Sequence, residues 1–288
     1  ENDVDFIACS FVSRKRDLLD VKRFLSKNGY SDVALIAKIE NRPGVNNIEE
    51  ICSECDGIMI GRGDMGVEIP FEELPAIQKK LIDTCRLLGK RVITATEMLE
   101  SMITNPRPTR AEISDVANAV YDGTSAVMLS GETSVGHYPV RCVEVLDSIA
   151  HRMECSGNLN FAASAILNGD RQKATKAAIS LADSVENACL IVFTRRGLAA
   201  TQAAVLRPER AAIFAFSNDP VVVRQLALAR DVTAFESPFL KDPARMISTA
   251  LDLLKEKGLI SSGQPVVIQG DSLQGELLAD SIIFMRVE

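Results

Sequence analysis

The chain has 288 residues, of which 47% are hydrophobic and 25% are charged, a composition typical of a globular protein with a sizeable core. Its net charge is −7 at pH 7. Nucleic-acid and anionic-membrane surfaces need clustered basic residues, so the charge argues against both kinds of partner. No apolar run approaches the roughly 18 residues of a membrane span, and the acidic start does not resemble a signal peptide. We therefore expect a cytoplasmic protein, and its length predicts two domains of about 150 residues each.

Strand-like and helix-like segments alternate over the first 150 residues. The apolar patterns predict strands at 4–11, 33–39, 57–60, 91–95 and 125–129. They predict helices at 14–28, 47–53, 75–88, 109–121 and 140–153. The strands start about 30 residues apart, as in a TIM barrel of about 250 residues in eight units.

These five βα units predict a partial TIM (β/α)8 barrel over residues 1–155. A doubly wound open sheet is the alternative, since it would place polar residues at the same strand ends. A closed barrel needs eight units. We expect the other three to come from a preceding part of a longer chain or from another chain.

The remaining residues predict a linker over 156–170 and a three-layer α/β domain over 171–288. Its predicted strands are 188–194, 211–217, 232–236, 265–269 and 281–287. Its predicted helices are 174–186, 198–206, 220–229 and 243–257. The connection to the last strand is too short for a parallel crossover. We therefore expect a mostly parallel five-stranded sheet with an antiparallel final strand.

Polar side chains follow the predicted barrel strands. Alternation places Lys38 and Glu40 on one side of a strand end, where an ammonium beside a carboxylate suits a phosphoryl or enolate site; an ordinary ion pair is the alternative. Residues 61–66 read GRGDMG, and glycines let backbone N–H groups approach an anion closely. Asp64 could share a divalent cation with Glu40, or it could be a surface residue in a glycine-rich turn.

Hydroxyl and carboxylate side chains follow the fourth and fifth strands. Thr96 comes directly after one strand, and Ser130 and Glu132 come directly after the next. The carboxyl ends of barrel strands are where barrel enzymes carry their catalytic groups. Farther along, Thr109 and Glu112 have the spacing of a helix capping box.

The seven cysteines favour reduced thiols, because their number is odd and the chain is long. Cys52 and Cys55 form a CxxC, but no second pair or histidine cluster completes a zinc site. We interpret them as small apolar residues at the end of a helix, with zinc or redox chemistry as the alternative.

Four segments carry a specific resemblance: AKIENRPGVNNIEEI, DGIMIGRGDMGVEIP, VITATEMLESMITNPRPTRAEISDVANAVYDGT and AVMLSGETSVGHYPV. Their order and spacing resemble pyruvate kinase. Residues 1–150 resemble the second part of that family's catalytic barrel, and about 170–288 resemble its C-terminal domain. The first three barrel strands and the inserted lid domain of the family have no counterpart here. Gly61 and Glu97 stand where the family usually has Ala and commonly has Gln.

The resemblance implies phosphoryl transfer from phosphoenolpyruvate to ADP, giving pyruvate and ATP in glycolysis. It implies that Lys38 stabilises the transferring phosphoryl group, and that Glu40 and Asp64 bind Mg²⁺ or Mn²⁺. The backbone of Gly63 and Asp64 would hold the substrate carboxylate, with Thr96 beside the methylene carbon.

The resemblance also implies that Ser130 and Glu132 join a proton relay to carbon. The family's phosphate-binding arginine and its K⁺ ligands come from strands that these residues do not include, so we expect the 288 residues alone to be inactive. Family members are typically homotetramers. A non-catalytic regulatory or ligand-binding chain on the same scaffold is the alternative.

The loop Thr194-Arg195-Arg196-Gly197 ends a predicted strand and begins a helix, as phosphate-binding loops do. It resembles the fructose 1,6-bisphosphate loop of allosteric pyruvate kinases, which has the pattern Thr-Lys-Ser-Gly-Arg-Ser. Here Arg196 and Ala199 stand at the serine positions and Leu198 at the arginine position. The differences favour another phosphorylated effector, a sugar phosphate or a nucleotide, or no effector. The alternative is an exposed basic helix start.

Overall fold

A computed structural model describes residues 4–156, 165, 167, 169–270 and 281–288. Contacts within the chain divide it into two compact units, Glu1–Asn160 and Phe161–Glu288. Each unit is described by itself. Most of the predicted linker 156–170 lies outside the described residues.

The first unit alternates strands and helices. Its strands are β1 (Phe6–Cys9), β2 (Ala34–Ile39), β3 (Gly57–Gly61), β4 (Arg91–Ala95) and β5 (Ala126–Met128). Its helices are α1 (Lys15–Lys27), α2 (Arg42–Asn46), α3 (Ile48–Cys52), α4 (Arg62–Glu68), α5 (Leu74–Leu87), α6 (Arg110–Asp122), α7 (Gly131–Ser134) and α8 (Pro139–Glu154). Two short 3₁₀ turns lie at Phe71–Glu73 and Glu100–Ile103.

The five strands form one parallel sheet in the order β1-β2-β3-β4-β5. A doubly wound sheet reverses its strand order at a switch point, and this sheet has no reversal. The order is that of consecutive units of a (β/α)8 barrel, so the partial barrel is confirmed and the doubly wound alternative is wrong for this unit.

Helices cover one face of this sheet because right-handed crossovers in one direction all return on the same side. Leu18 of α1, Ile51 of α3 and Leu81 of α5 are fully buried against strand residues such as Leu35 and Ile58. A second cluster joins α6 and α8 to the segment after β4. The apolar spacing that predicted the helices is thus the spacing of the residues that they bury.

The apolar pattern does not predict three short helices. They are α2, α4 and α7, and each begins within three residues of the end of a strand. The pattern indicates a glycine-rich turn after β3, and only the resemblance implies a helix start at Gly63 and Asp64; residues 62–68 are helical. Apolar spacing cannot identify helices of four to seven residues, because one turn of helix is too short to show a period.

The second unit contains five strands and four helices in its described part. The strands are β6 (Cys189–Phe193), β7 (Ile213–Ser217), β8 (Val232–Glu236), β9 (Pro265–Gly270) and β10 (Ser281–Arg286). The helices are α9 (Asp170–Ser184), α10 (Leu198–Leu206), α11 (Pro220–Leu226) and α12 (Pro243–Glu256).

The sheet of this unit has the order β10-β9-β6-β7-β8. β10 pairs antiparallel with β9, while the other pairings are parallel, so the predicted mostly parallel sheet is confirmed. The strand order reverses between β6 and β9, and ligands bind at such switch points in open α/β sheets. No helix in the described part of the chain is long and apolar enough to cross a membrane.

Candidate active site

Strand register brings the ends of β1 to β4 together at one edge. Cys9 pairs with Ala37, so Ser10 lies beside Lys38, and the Lys38 Nζ donates to Ser10 Oγ at 3.1 Å. Lys38 Nζ also lies 2.6 Å from Oε1 of Glu40. The two side chains that alternation placed on one side of the strand therefore form an ion pair at its carboxyl end.

The Glu40 carboxylate is buried, at 1% exposure. Its Oε2 accepts a hydrogen bond from the backbone N–H of Phe11 at 2.8 Å. Its Oε1 is an ion-pair partner of Lys38 but accepts no hydrogen bond of good geometry. A buried carboxylate oxygen without a hydrogen bond is costly, and the Lys38 ammonium in contact with this oxygen offsets part of that cost.

Gly61, three residues before Asp64, lies against the Glu40 side chain. Register pairs Ile39 with Ile60, and a Cβ added to Gly61 would lie 2.8 Å from Cγ of Glu40. Glu40 therefore rests against the residue that precedes α4, and Asp64 is an exposed residue in the first turn of that helix. The described residues hold no metal-binding group of three or more His, Cys, Asp or Glu side chains.

Thr96 follows β4 in an unusual backbone conformation. Its φ is +68°, and that of Glu97 is +54°; positive φ is rare for β-branched residues. The Thr96 hydroxyl accepts a hydrogen bond from the Gly63 backbone N–H at 2.9 Å and donates to the Ala95 carbonyl at 2.7 Å. The structure thus brings Thr96 and Gly63 together.

Arg62 is one of the polar residues that follow the strands in the sequence, but the sequence assigns it no role. Its guanidinium donates to the backbone carbonyl groups of Ala95, Thr96 and Glu97, and its side chain is 11% exposed. The register that pairs Gly61 with Ala95 places the next residues of both strands side by side. The pairing of β3 with β4 would have indicated this contact. The carbonyl groups that Arg62 contacts lie 33 to 35 residues away in sequence, so no local pattern indicates them.

The Glu132 side chain forms hydrogen bonds with the segments that follow β4 and β5. It is 1% exposed, and its two carboxylate oxygens accept from the backbone N–H groups of Leu99 at 3.0 Å and Ser130 at 2.8 Å. Both oxygens are used in these contacts. Glu132 therefore fixes the backbone beside Thr96 and Ser130.

The segment after β4 is also held by the capping box of α6. Glu112 accepts hydrogen bonds from the hydroxyl and backbone N–H groups of Ser101 and Thr109. Burial by itself raises the pKa of Glu112, but these four hydrogen bonds outweigh burial and hold the pKa below its ordinary value.

All seven cysteines are free of disulfides. Cys52 Sγ lies 3.4 Å from Sγ of Cys85, and both residues are buried, as is Cys55. The hydrogen bond with Cys52, followed by burial, raises the pKa of Cys55. Such thiols are protonated at neutral pH and unreactive. The CxxC therefore packs in the helix-covered core.

The loop at residues 194–197 lies at the switch point of the second sheet. Thr194 is buried, and its N–H donates to the carbonyl of Phe216 at 2.9 Å. Arg195 and Arg196 are exposed, and the Arg195 guanidinium lies 5.4 Å from the ring centre of Phe239. Gly197 has φ +74° and precedes α10, so Arg195 and Arg196 form an exposed basic pair just before a helix.

Comparison with known proteins gives one consistent family. Residues 1–143 match the family model "Pyruvate kinase, barrel domain", and residues 172–279 match "Pyruvate kinase, alpha/beta domain". A pyruvate kinase of Geobacillus stearothermophilus is 42% identical over 99% of this chain and 49% of its own length. One of Clostridium acetobutylicum is 40% identical over 93% of this chain and 57% of its own length.

A solved structure has the same fold. The crystal structure of a pyruvate kinase from Cryptosporidium parvum matches with a TM-score of 0.92 and 36% identity, over 99% of this chain and 59% of that chain. The chain spans about half the length of the curated relatives it matches.

Proposed function

The chain belongs to the pyruvate kinase family, and from this premise we propose that its protein transfers the phosphoryl group of phosphoenolpyruvate to ADP. In this reaction the bond between phosphorus and the enol oxygen breaks, and a terminal oxygen of ADP forms a new bond to phosphorus. The enolate that remains takes up one proton at its methylene carbon. The products are pyruvate and ATP.

The observation that carries this proposal is the grouping of Lys38, Glu40, Gly63 and Thr96 at one edge of the parallel sheet. The Lys38 side chain is 24% exposed, and its ammonium group stabilises negative charge on the transferring phosphoryl group. Phosphoryl transfer depends chiefly on such positioning and electrostatic stabilisation. The backbone of Gly63 and Asp64 would bind the substrate carboxylate at the start of α4, and the Gly63 N–H would share its hydrogen bond between that carboxylate and Thr96 Oγ1.

Glu40 and Asp64 are the residues that would hold Mg²⁺ or Mn²⁺. The position of the buried Glu40 carboxylate beside Gly61, just before α4, supports this assignment, because hard divalent cations prefer oxygen ligands and accept substrate and water oxygens for the rest. When bound, the cation supplies charge neutralisation to phosphoryl and enolate oxygens. The resemblance places K⁺ ligands outside these residues, so no residue here is assigned to K⁺.

Protonation of the enolate involves the ends of β4 and β5. The Thr96 hydroxyl lies beside the methylene carbon, and Ser130 completes a relay that reaches carbon through water. The contacts of Glu132 with two backbone N–H groups support a positioning role within that relay. Thr96, Ser130 and Glu132 thus act in the second half of the reaction, and Lys38 acts in the first.

The test is an assay of ATP formation from phosphoenolpyruvate and ADP, using the full natural polypeptide that carries these 288 residues. Lys38→Met should abolish turnover, while Lys22→Met, which removes an exposed lysine on α1 that pairs with Glu54, should leave it unchanged. Full activity of Lys38→Met would overturn the assigned roles. Binding of Mg²⁺ and phosphoenolpyruvate without turnover would favour a non-catalytic regulatory chain.

A second proposal concerns the loop of residues 194–197, as a site for a phosphorylated effector. The exposed cations at a helix start on the switch point of the sheet support it. Calorimetric titration with a hexose monophosphate, fructose 1,6-bisphosphate and a nucleoside monophosphate tests it. Arg196→Ala should abolish binding, and Arg245→Ala on α12 should not. No heat of binding with any of the three would contradict the proposal.

The resemblance further supports a homotetramer in the cytoplasm. The seven free thiols agree with a reducing compartment. Sedimentation of the full natural polypeptide measures the oligomeric state, and fractionation of the source cells measures the compartment. A monomer would contradict the first expectation.

A further inference from the structure

The turn that carries Thr96 is strained. Thr96 and Glu97 are the only two adjacent non-glycine residues with positive φ in the described ranges. A side chain with a Cβ is unfavourable in the left-handed region, and such residues persist only where the surrounding structure holds them. Something in the structure must therefore stabilise this two-residue turn.

Arg62 supplies that stabilisation. Its Nε donates to the carbonyl of Ala95 at 3.3 Å and to that of Thr96 at 3.2 Å. Its Nη2 donates to Thr96 again and to the carbonyl of Glu97 at 3.2 Å. Three consecutive carbonyl groups thus point at one guanidinium, which spans the strained turn from end to end.

The geometry requires an arginine. A guanidinium has five N–H donors in a planar fork, whereas a lysine has one compact ammonium group. The outer nitrogen of the fork, Nη1, pairs with Asp115 of α6 and donates to Oε1 of Gln78 at 3.3 Å. The side chain is 11% exposed, so its charge acts on the carbonyl dipoles with little screening by water.

The consequence concerns the orientation of one hydroxyl. Thr96 Oγ1 accepts the N–H of Gly63, the residue that follows Arg62. The first turn of α4 therefore makes two kinds of contact with Thr96. The Arg62 guanidinium donates to the Thr96 carbonyl, and the Gly63 N–H donates to the Thr96 hydroxyl. We propose that Arg62 is a positioning residue that holds the Thr96 hydroxyl in the place required for proton transfer to the enolate. This inference rests on the proposed function.

The test separates proton transfer from phosphoryl transfer and from folding. The exchange of pyruvate methyl protons with D₂O, followed by proton NMR, reports the protonation step alone. In the full natural polypeptide, Arg62→Lys should lower this exchange and kcat by at least roughly tenfold, because small displacements of a catalytic group have such effects. The KM for phosphoenolpyruvate should change less than about threefold.

Two further variants identify the cause. Asp115→Asn removes the outer ion pair but keeps the carbonyl contacts, so exchange should stay within about twofold of the unsubstituted protein. Glycine adopts positive φ without strain. Adding Glu97→Gly to Arg62→Lys should therefore restore exchange about threefold, whereas a loss unrelated to the turn would not be restored.

The outcomes are distinct. Unchanged methyl exchange in a folded Arg62→Lys variant overturns the inference, and so does an equal loss in Asp115→Asn. If Arg62→Lys does not fold, the double variant is compared with Glu97→Gly alone, and equal exchange rates overturn the inference. If the unsubstituted protein neither forms ATP nor exchanges methyl protons, the proposed function fails and the inference fails with it.

Discussion

Glu132 offers a direct test of how the ends of β4 and β5 are held. Glu132→Gln keeps the size of the side chain but replaces one carboxylate oxygen with an NH₂ group. Since both oxygens accept backbone N–H groups, one of these buried donors then faces another donor. The remaining bond also loses the strength that a charged acceptor gives.

The magnitude follows from these two contacts. A buried donor without an acceptor costs about 1–3 kcal/mol. Glutamine also avoids part of the desolvation cost of a buried charge, so the net loss should be about 2 kcal/mol. For a unit of this size that loss corresponds to a fall in Tm of roughly 4–8 °C.

Scanning calorimetry and urea unfolding of the full natural polypeptide measure the loss. Glu144→Gln is the matched control, because Glu144 pairs with Arg141 on the surface of α8 and both side chains are 57% exposed. That change should alter the free energy of unfolding by less than about 0.5 kcal/mol. A loss below about 0.5 kcal/mol for Glu132→Gln would refute the structural role of its carboxylate.

Three further predictions concern packing, pH and thiol reactivity. Gly57→Ala should destabilise the first unit by about 1–3 kcal/mol in urea unfolding, because the added Cβ would collide with Cγ of Arg91 and lie 3.0 Å from its carbonyl oxygen; an unchanged midpoint would contradict this. Burial raises the pKa of Glu112, but the hydrogen bonds from Ser101 and Thr109 lower it by more and leave the pKa below its ordinary value. The stabilisation that the Glu112 carboxylate gives is therefore present above pH 4.5 and lost as pH falls through the folded pKa. Glu112→Gln should make the free energy of unfolding, measured by urea titration, fall less steeply with pH in the acid range. An equally steep fall in the variant would contradict the prediction. Burial raises the pKa of Cys189 to about 11, so iodoacetamide at pH 8 should alkylate exposed Cys155 in the folded protein and Cys189 only after unfolding; equal rates in peptide mapping would disprove the assignment.

The sequence by itself determined the order and type of the main elements. Continuous apolar strands separated by amphipathic helices predict parallel sheets covered by helices, and the spacing of about 30 residues predicted barrel units. The short connection before β10 predicted its antiparallel pairing, which the register with β9 confirms. These features depend on local pattern and chain length, which a sequence displays directly.

The sequence also predicted polar site residues at the strand ends, because a polar residue that follows an apolar strand is easily recognised. These residues are Lys38, Glu40, Thr96 and Ser130. Contacts between distant segments could not be predicted in this way. The contact of Cys85 with Cys52, and that of Glu132 with the Leu99 N–H, each join segments 33 residues apart.

The role of Arg62 was decided by tertiary structure alone. Its sequence context showed a glycine-rich turn, and nothing local indicated that Thr96 would adopt positive φ. The register of β3 against β4 placed arginine beside that turn. Register is fixed by the packing of whole strands rather than by any one residue, so the contact between the Arg62 side chain and the Thr96 turn exists only in the folded protein.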